Sequence, residues 1–92
     1  MPDQVDELIA GRKKTHGPYK EVAALAQATK HLWRTHPGWA KLTDVQKDTL
    51  EHNAGKIARV LVGDPMYKDH WIDQVGYLKR VLEEIDECAA SS

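Results

Sequence analysis

The sequence has a single cysteine, no large excess of either charge and no long apolar run. Cys88 cannot form an internal disulfide, which is typical of a protein in a reducing compartment, and we expect the cytoplasm. A formal net charge of -1 gives no bulk attraction to nucleic acid or to an anionic membrane. No stretch reaches the roughly 18 apolar residues of a membrane span, and the acidic start of the chain is unlike a signal peptide. The sequence therefore predicts a soluble protein with neither nucleic acid nor membrane as a partner.

Strand signals are also missing, since no apolar residues alternate and no hairpin dipeptide separates β-rich segments. Apolar residues instead recur every three or four positions, as in amphipathic helices. The sequence predicts one all-α domain over residues 1–92, an antiparallel bundle of three to four helices with short loops. A chain of 92 residues buries only about 60–65% of its unfolded surface. We therefore expect a homo-oligomer.

Two helices are expected in the first half of the chain, at residues 1–11 and 18–35. Gly11 would close the first helix. The basic run Arg12-Lys13-Lys14 that follows is interpreted as a solvated linker, with a weak anion site as the alternative. Pro18 suits the first position of the second helix, because its fixed φ and missing N–H cost nothing there.

Two longer helices are expected in the second half, at residues 44–62 and 68–88. Thr43 and Gln46 have the spacing of a capping box at the start of the third helix. Gly63 would end that helix, and Asp64-Pro65 would turn the chain into the fourth. The small and polar residues 89–92 are predicted to fray.

Each longer helix carries an apolar stripe that is predicted to be buried. The stripes are Leu50, Ala54, Ile57 and Leu61 on the third helix, and Trp71, Val75, Leu78, Leu82 and Ile85, broadened by Ile72 and Val81, on the fourth. The width of the second stripe predicts that helix four packs against more than one neighbour. Gly55 and Gly76 each cost about 1 kcal/mol relative to alanine in mid-helix. We therefore expect another backbone close to Gly55, and a second packing surface or a pocket beside Gly76.

A charged and aromatic cluster at the junction of helices three and four is the candidate site. Asp73 lies opposite the apolar stripe of helix four, among Asp69, Gly76, Tyr77 and Arg80. If the hairpin turns near residue 64, Asp73 is level with Lys56, whereas Glu51 lies roughly 6–9 Å further along the axis. A Lys56–Asp73 salt bridge is therefore favoured over a Mg²⁺ site. An ordinary solvated face remains the alternative.

The histidines and the cysteine give no recognisable site. His16, His31, His36, His52 and His70 are scattered, without the spacing of a zinc site. His70 is interpreted as a surface histidine at a helix start. Cys88 has no histidine at the spacing of a catalytic pair and is not expected to be a nucleophile.

Three segments resemble a family of short phage and prophage proteins. They are Thr15-His16-Gly17-Pro18-Tyr19, Lys56-Ile57-Ala58-Arg59-Val60-Leu61-x-Gly63 and His70-Trp71-x-Asp73-x-x-Gly76-Tyr77. The resemblance covers roughly residues 12 to 82. That family is similar in outline to the all-α, MazG-like nucleotide pyrophosphohydrolases, which are helical dimers or tetramers. Those enzymes hold Mg²⁺ between a Glu-x-x-Glu motif and an acidic pair on the next helix.

The resemblance implies a metal site with acidic ligands, but this sequence contains only part of that ligand set. Asp73 and Asp69 match the second acidic pair, but Asn53 and Lys56 stand where the first motif requires acids. The offset pair Asp48 and Glu51 would have to substitute. A lysine cannot hold Mg²⁺, and Lys56 with Arg59 would instead bind phosphate directly, giving a binder without turnover.

We therefore predict a non-catalytic, cytoplasmic phage-type accessory protein that binds a host protein or a nucleotide. It would act, for example, as an inhibitor of a host defence or replication protein. Its binding residues would be Lys56, Arg59, Asp73 and Tyr77, with no cofactor. The enzymatic alternative is a Mg²⁺-dependent nucleoside triphosphate pyrophosphohydrolase with Asp48, Glu51, Asp69 and Asp73 as ligands. The third hypothesis is a structural oligomer, in which Trp33, Trp39 and Trp71 serve only the core.

Overall fold

The computed structural model describes residues 4–91, except for the side chains of residues 10 and 13. The chain is 88% helical, with four helices and no strands in the described part, which confirms the all-α prediction. The helices are α1 (Gln4–His16), α2 (Tyr19–Thr35), α3 (Asp44–Val62) and α4 (Lys68–Ser91), and a 3-10 helix, Pro37–Lys41, joins α2 to α3. None of the described helices is long and apolar enough to cross a membrane.

The ends of α2 and α3 follow from local sequence signals. The Thr43 hydroxyl accepts from the Gln46 N–H, and the Gln46 side chain accepts from the Thr43 N–H, so the predicted capping box is present. Gly63 ends α3, as predicted. α2 begins at Tyr19 rather than at Pro18, which forms the cap and whose carbonyl accepts the first helical hydrogen bonds.

Two predicted boundaries were wrong. α1 continues past Gly11 to His16, so the basic run is helical and not a linker. A mid-helix glycine costs only about 1 kcal/mol, and the helix stops where Gly17 takes a φ of 78°. α4 continues through residues 89–91, which were expected to fray, because two alanines favour the helix. The predictions for residues 1–3 and 92 lie outside the described residues.

The three long helices form a layer in which α3 lies between α2 and α4. α2 and α4 run antiparallel to α3 and pack against its two sides rather than against each other, and α1 contacts α2 and α3. The molecule measures 60 × 27 × 23 Å, with a radius of gyration of 16.1 Å. A compact domain of this length would have a radius of gyration of about 12 Å. The chain is therefore extended, with much of its surface open.

The buried core is small and is confined to the α2–α3 side. Val22, Ala26 and Ala58 form it, with Leu25 and Val62 packed against them. Ala54 is also buried. Three of these four fully buried apolar residues are alanines, so little side-chain volume is removed from water.

The predicted burial of the apolar stripes was wrong for most of the α4 stripe and for two of the four residues of the α3 stripe. On α3, Ala54 is buried, but Ile57 is 39% exposed and Leu61 is 69% exposed. On α4, Val81 is half-buried, and the other six residues of the stripe are between 46% and 61% exposed. The reason is that α4 turns its polar side toward α3. The contacts there are the Lys56–Asp73 ion pair, a His52–Tyr77 ring stack and a hydrogen bond from Thr43 to Glu84.

The close backbone approach is at Gly17 and Gly63, not at Gly55. A Cβ added to Gly17 would lie 2.6 Å from Val62 Cγ1, and one on Gly63 would lie 2.6 Å from the His16 carbonyl carbon. A Cβ on Gly55 or Gly76 would have no described atom within 4 Å. The predicted backbone approach at Gly55 was therefore wrong, and no packing contact with the described residues lies at Gly76. The tight contact joins the two short connections α1–α2 and α3–α4.

Candidate functional site

A cavity of about 580 Å³ lies at the junction of α1, α2 and α3. Three of its lining residues are basic: Arg12 on α1, with Lys56 and Arg59 on α3. The remaining lining residues are Ile9, His16, Gly17, Tyr19 and Val22, so the described lining contains no carboxylate. The cavity therefore combines positive charge with one aromatic and two aliphatic side chains.

Helical spacing explains why the basic residues converge. Lys56 and Arg59 are three residues apart on α3, and Arg12 and His16 are four apart on α1, so each pair shares one helix face. The last turn of α1 is fixed by its Thr15 carbonyl. That oxygen accepts the Asp64 N–H at 2.9 Å and the His70 Nε2–H at 2.7 Å. These two bonds satisfy a carbonyl that a helix end otherwise leaves unpaired, and they hold α1 over the cavity.

Lys56 and Asp73 form the ion pair that the hairpin register predicted. Lys56 Nζ lies 2.7 Å from Asp73 Oδ2. The Lys56 side chain is only 14% exposed, whereas that of Asp73 is 45% exposed. The hydrogen bond from Lys56, reinforced by its charge, lowers the pKa of Asp73. Asp73 therefore neutralises part of the positive charge at the edge of the cavity.

Tyr77 belongs to a second, separate groove between α3 and α4. Its ring stacks on His52, with centroids 3.8 Å apart, and Arg80 Cζ lies 4.8 Å from its centroid. Burial, followed by the charge of Lys56, lowers the pKa of His52. The groove holds about 270 Å³ and is lined by Val45, Asp48, Thr49, Tyr77, Arg80, Glu83, Glu84 and Glu87. Its acidic lining distinguishes it from the first cavity.

The structure thus divides the four predicted binding residues. Lys56 and Arg59 line the basic cavity. Asp73 does not line it but accepts a hydrogen bond from Lys56, and Tyr77 lines the other groove. The pattern missed His16 and Tyr19, whose positions in the cavity depend on where α1 packs. Arg12 belonged to the run that was interpreted as a linker, with a weak anion site as the alternative, and its side chain lines the cavity.

His70 is the other residue that the sequence misplaced. It was expected on the surface, but it is 1% exposed and is the largest fully buried side chain in the described part. Its ring lies 4.7 Å from that of His16 and 4.9 Å from that of Tyr67, between centroids. No sequence spacing marks this cluster, because it forms only when α1 docks against the start of α4.

The carboxylates of the enzymatic alternative do not come together. In the described part of the chain, no three His, Cys, Asp or Glu residues lie close enough to hold a metal ion. Of the four proposed ligands, Glu51 is paired with Arg34 at 2.7 Å and Asp73 is paired with Lys56. Asp48 lines the second groove. Two of the four acids are therefore already neutralised by cations.

Fold and cavity together define a small all-α protein with a basic, partly apolar cavity at one helix junction. Comparisons with protein-family models, with curated proteins and with solved structures found no match to this chain.

Proposed function

We propose that this protein is a non-catalytic binding protein, and that its ligand carries phosphate and belongs to the nucleotide class. The observation that carries the proposal is the convergence of Arg12, Lys56 and Arg59 on one cavity without a lining carboxylate. Guanidinium and ammonium groups form charge-assisted hydrogen bonds with phosphate oxygens, which are about twice as strong as neutral ones.

The rest of the cavity suits the organic part of such a ligand. A volume of about 580 Å³ is within the usual range for small-molecule sites. The Tyr19 ring, which is 78% exposed, offers a face on which a base would stack, and Ile9 and Val22 add apolar contact. The groups for phosphate and for a flat ring are therefore present in one site.

Binding is proposed instead of hydrolysis because of the state of the carboxylates. A metal-dependent pyrophosphohydrolase needs several acids facing one ion. Here Glu51 and Asp73 are in ion pairs with Arg34 and Lys56. In the setting that the resemblance implies, this would be a cytoplasmic phage-type accessory protein, and the nucleotide or a host protein would be its partner.

Titration calorimetry with ATP, a dNTP and pyrophosphate, without divalent ions, tests the proposal. Lys56→Gln and Arg59→Gln should each weaken binding by about tenfold or more, the effect of losing one charge-assisted hydrogen bond. Asp73→Asn should tighten binding, because Lys56 loses its competing carboxylate. Arg34→Gln removes the same charge outside the cavity and is the matched control, expected to bind as the original protein does.

Two results would overturn the proposal. One is a folded protein, verified by circular dichroism, that binds none of the three compounds or binds them equally well after Arg59→Gln. The other is steady pyrophosphate release from a nucleoside triphosphate when Mg²⁺ is added, since turnover contradicts a non-catalytic role.

A further inference from the structure

The exposed apolar stripe on α4 has the spacing of a helix-pairing surface. Trp71, Val75, Leu78, Leu82 and Ile85 are separated by four, three, four and three residues. This is the a/d pattern by which one helix packs against another helix of similar spacing. In the structure α4 packs on α3 through its polar side, and the stripe stays exposed.

The stripe continues across the whole layer. On α3, Lys56 contacts α4 and Ala58 faces the α2 core, while Ile57 and Leu61 project to one side between them. Residues of a helix follow each other at about 100° around its axis. The α4 stripe is rotated from the α3-facing residues of α4 by roughly the angle that separates Ile57 and Leu61 from Lys56 on α3, and in the same rotational sense. Because the two helices are antiparallel, both sets of side chains project on the same side.

Leu32 of α2 lies on that side as well, given its angular offset from Ala26, which faces α3. We call this surface the apolar face; it consists of Leu32, Ile57, Leu61, Trp71, Val75, Leu78, Leu82 and Ile85. Arg59 follows Ile57 by two residues and so lies about 160° away around α3. The basic cavity is therefore on the opposite side of the layer.

The apolar face is large enough for a stable interface. Its eight residues are each 39–69% exposed and together expose on the order of 900 Å², and a standard interface buries about 800 Å² on each partner. The largest apolar patch of a typical monomer is only about 300–600 Å². The described core, by contrast, contains four buried apolar residues, three of them alanines.

We propose that a second copy of this chain covers the apolar face, forming a two-layer symmetric dimer. The α4 stripe can pair with a second α4 stripe that runs in the opposite direction. When two α4 helices run antiparallel with Leu78 level with Leu82 of the second copy, Val75 is level with Ile85. Trp71 is then level with Ala89, a large residue opposite a small one. Every level of the pairing is apolar, and this self-match favours a second copy over an unrelated helix.

The test is the mass of the intact chain in solution by light scattering, at a concentration on the order of 100 µM. We expect about twice the 10.4 kDa of one chain. Leu82→Glu should give the mass of one chain, because a carboxylate would be buried between two stripes. Ala24→Glu introduces the same side chain at an exposed α2 position outside the apolar face and should leave the dimer intact. A monomeric original protein, or a dimeric Leu82→Glu variant, would overturn the proposal.

A second measurement does not depend on the stability of the Leu82→Glu variant. In a Cys88→Ser background, the Leu78→Cys and Leu82→Cys proteins are mixed and oxidised, and the products are separated by mass. The antiparallel register predicts that the mixed disulfide forms faster than either self-disulfide. Absence of a mixed disulfide would overturn the pairing, and Ala24→Cys in the same background should form none.

Discussion

At the scale of single residues, His16 lies where α1, the α3–α4 connection and α4 meet. Its ring contacts those of Tyr67 and His70 and lines the basic cavity. Burial lowers the pKa of His16, and the positive charges of His70, Arg59, Lys56 and Arg12 lower it further. The folded protein therefore favours the neutral form of this imidazole.

A loss of stability in mild acid follows from this shift. Because the pKa of His16 is lower in the folded than in the unfolded chain, the unfolded chain binds the proton first. The stabilisation is complete above pH 6.5 and is lost as the pH falls through the folded-state pKa. Melting temperatures measured from pH 7.5 to 5.5 should decrease, and His16→Gln should reduce that decrease.

His31→Gln is the control for the pH experiment, because His31 is exposed on α2. The pKa of His52 is lowered, as is that of His16, so part of the decrease in melting temperature should persist in the His16→Gln protein. Identical pH profiles for all three proteins would contradict the assignment to His16.

The contrast between Lys56 and His70 shows what residue patterns can predict. Lys56 and Asp73 lie on two helices joined by a short turn, so counting residues from that turn was sufficient to pair them. His70 is buried by contacts with α1, which is more than fifty residues away in sequence. Nothing within either helix specifies that contact, so its burial could not be predicted.

At the scale of helices, the two short connections pack closely against each other. The α1–α2 connection turns at Gly17, and the α3–α4 connection begins at Gly63. Atoms of the two connections are so close that a side chain on either glycine would meet backbone. These contacts fix α1, and with it Arg12 and His16, over the cavity.

Alanine substitutions at Gly63, the cap of α3, and at Gly55, in the middle of α3, should therefore have opposite effects on the free energy of unfolding. Gly63→Ala should lower the free energy of unfolding by about 1–3 kcal/mol, because the new Cβ would lie 2.6 Å from the His16 carbonyl carbon. Gly55→Ala should raise it by about 1 kcal/mol, since a mid-helix glycine is replaced where space is open. Urea unfolding measures both changes. Equal effects of the two substitutions would be evidence against close packing at Gly63.

Helix boundaries were predictable where a sequence signal within a few residues starts or ends the helix. The capping box at Thr43 and the glycine at the end of α3 act within a few residues, and α3 was predicted without error. The stripes on α3 and α4 were correctly identified as apolar, but their burial was not. Periodicity shows which side of a helix needs a partner; it does not show whether that partner is in the same chain.

At the scale of the whole molecule, the layer has two unlike sides. The helical positions of their residues place the basic cavity on one side and the apolar face on the other. A single layer of three helices buries few side chains, so in the proposed dimer the covered apolar face would add much of the buried apolar area. Folding and association are then expected to be linked.

Linked folding predicts a melting temperature that depends on protein concentration. When a second copy binds only the folded chain, raising the concentration stabilises that state by mass action. We expect the melting temperature to rise by several degrees over a hundredfold increase in concentration. The Leu82→Glu variant should melt at a lower temperature that does not change with concentration. A concentration-independent melting temperature for the original protein would contradict the linkage.

The placement of the cavity and the apolar face on opposite sides has a further consequence. Two paired chains would present two identical cavities that open away from each other. Such a pair is bivalent, so it would be retained on a surface densely coated with phosphate ligand far longer than a lone chain, through effective concentration alone. The same pair would also bridge two ligand-bearing particles, which a one-site protein cannot do.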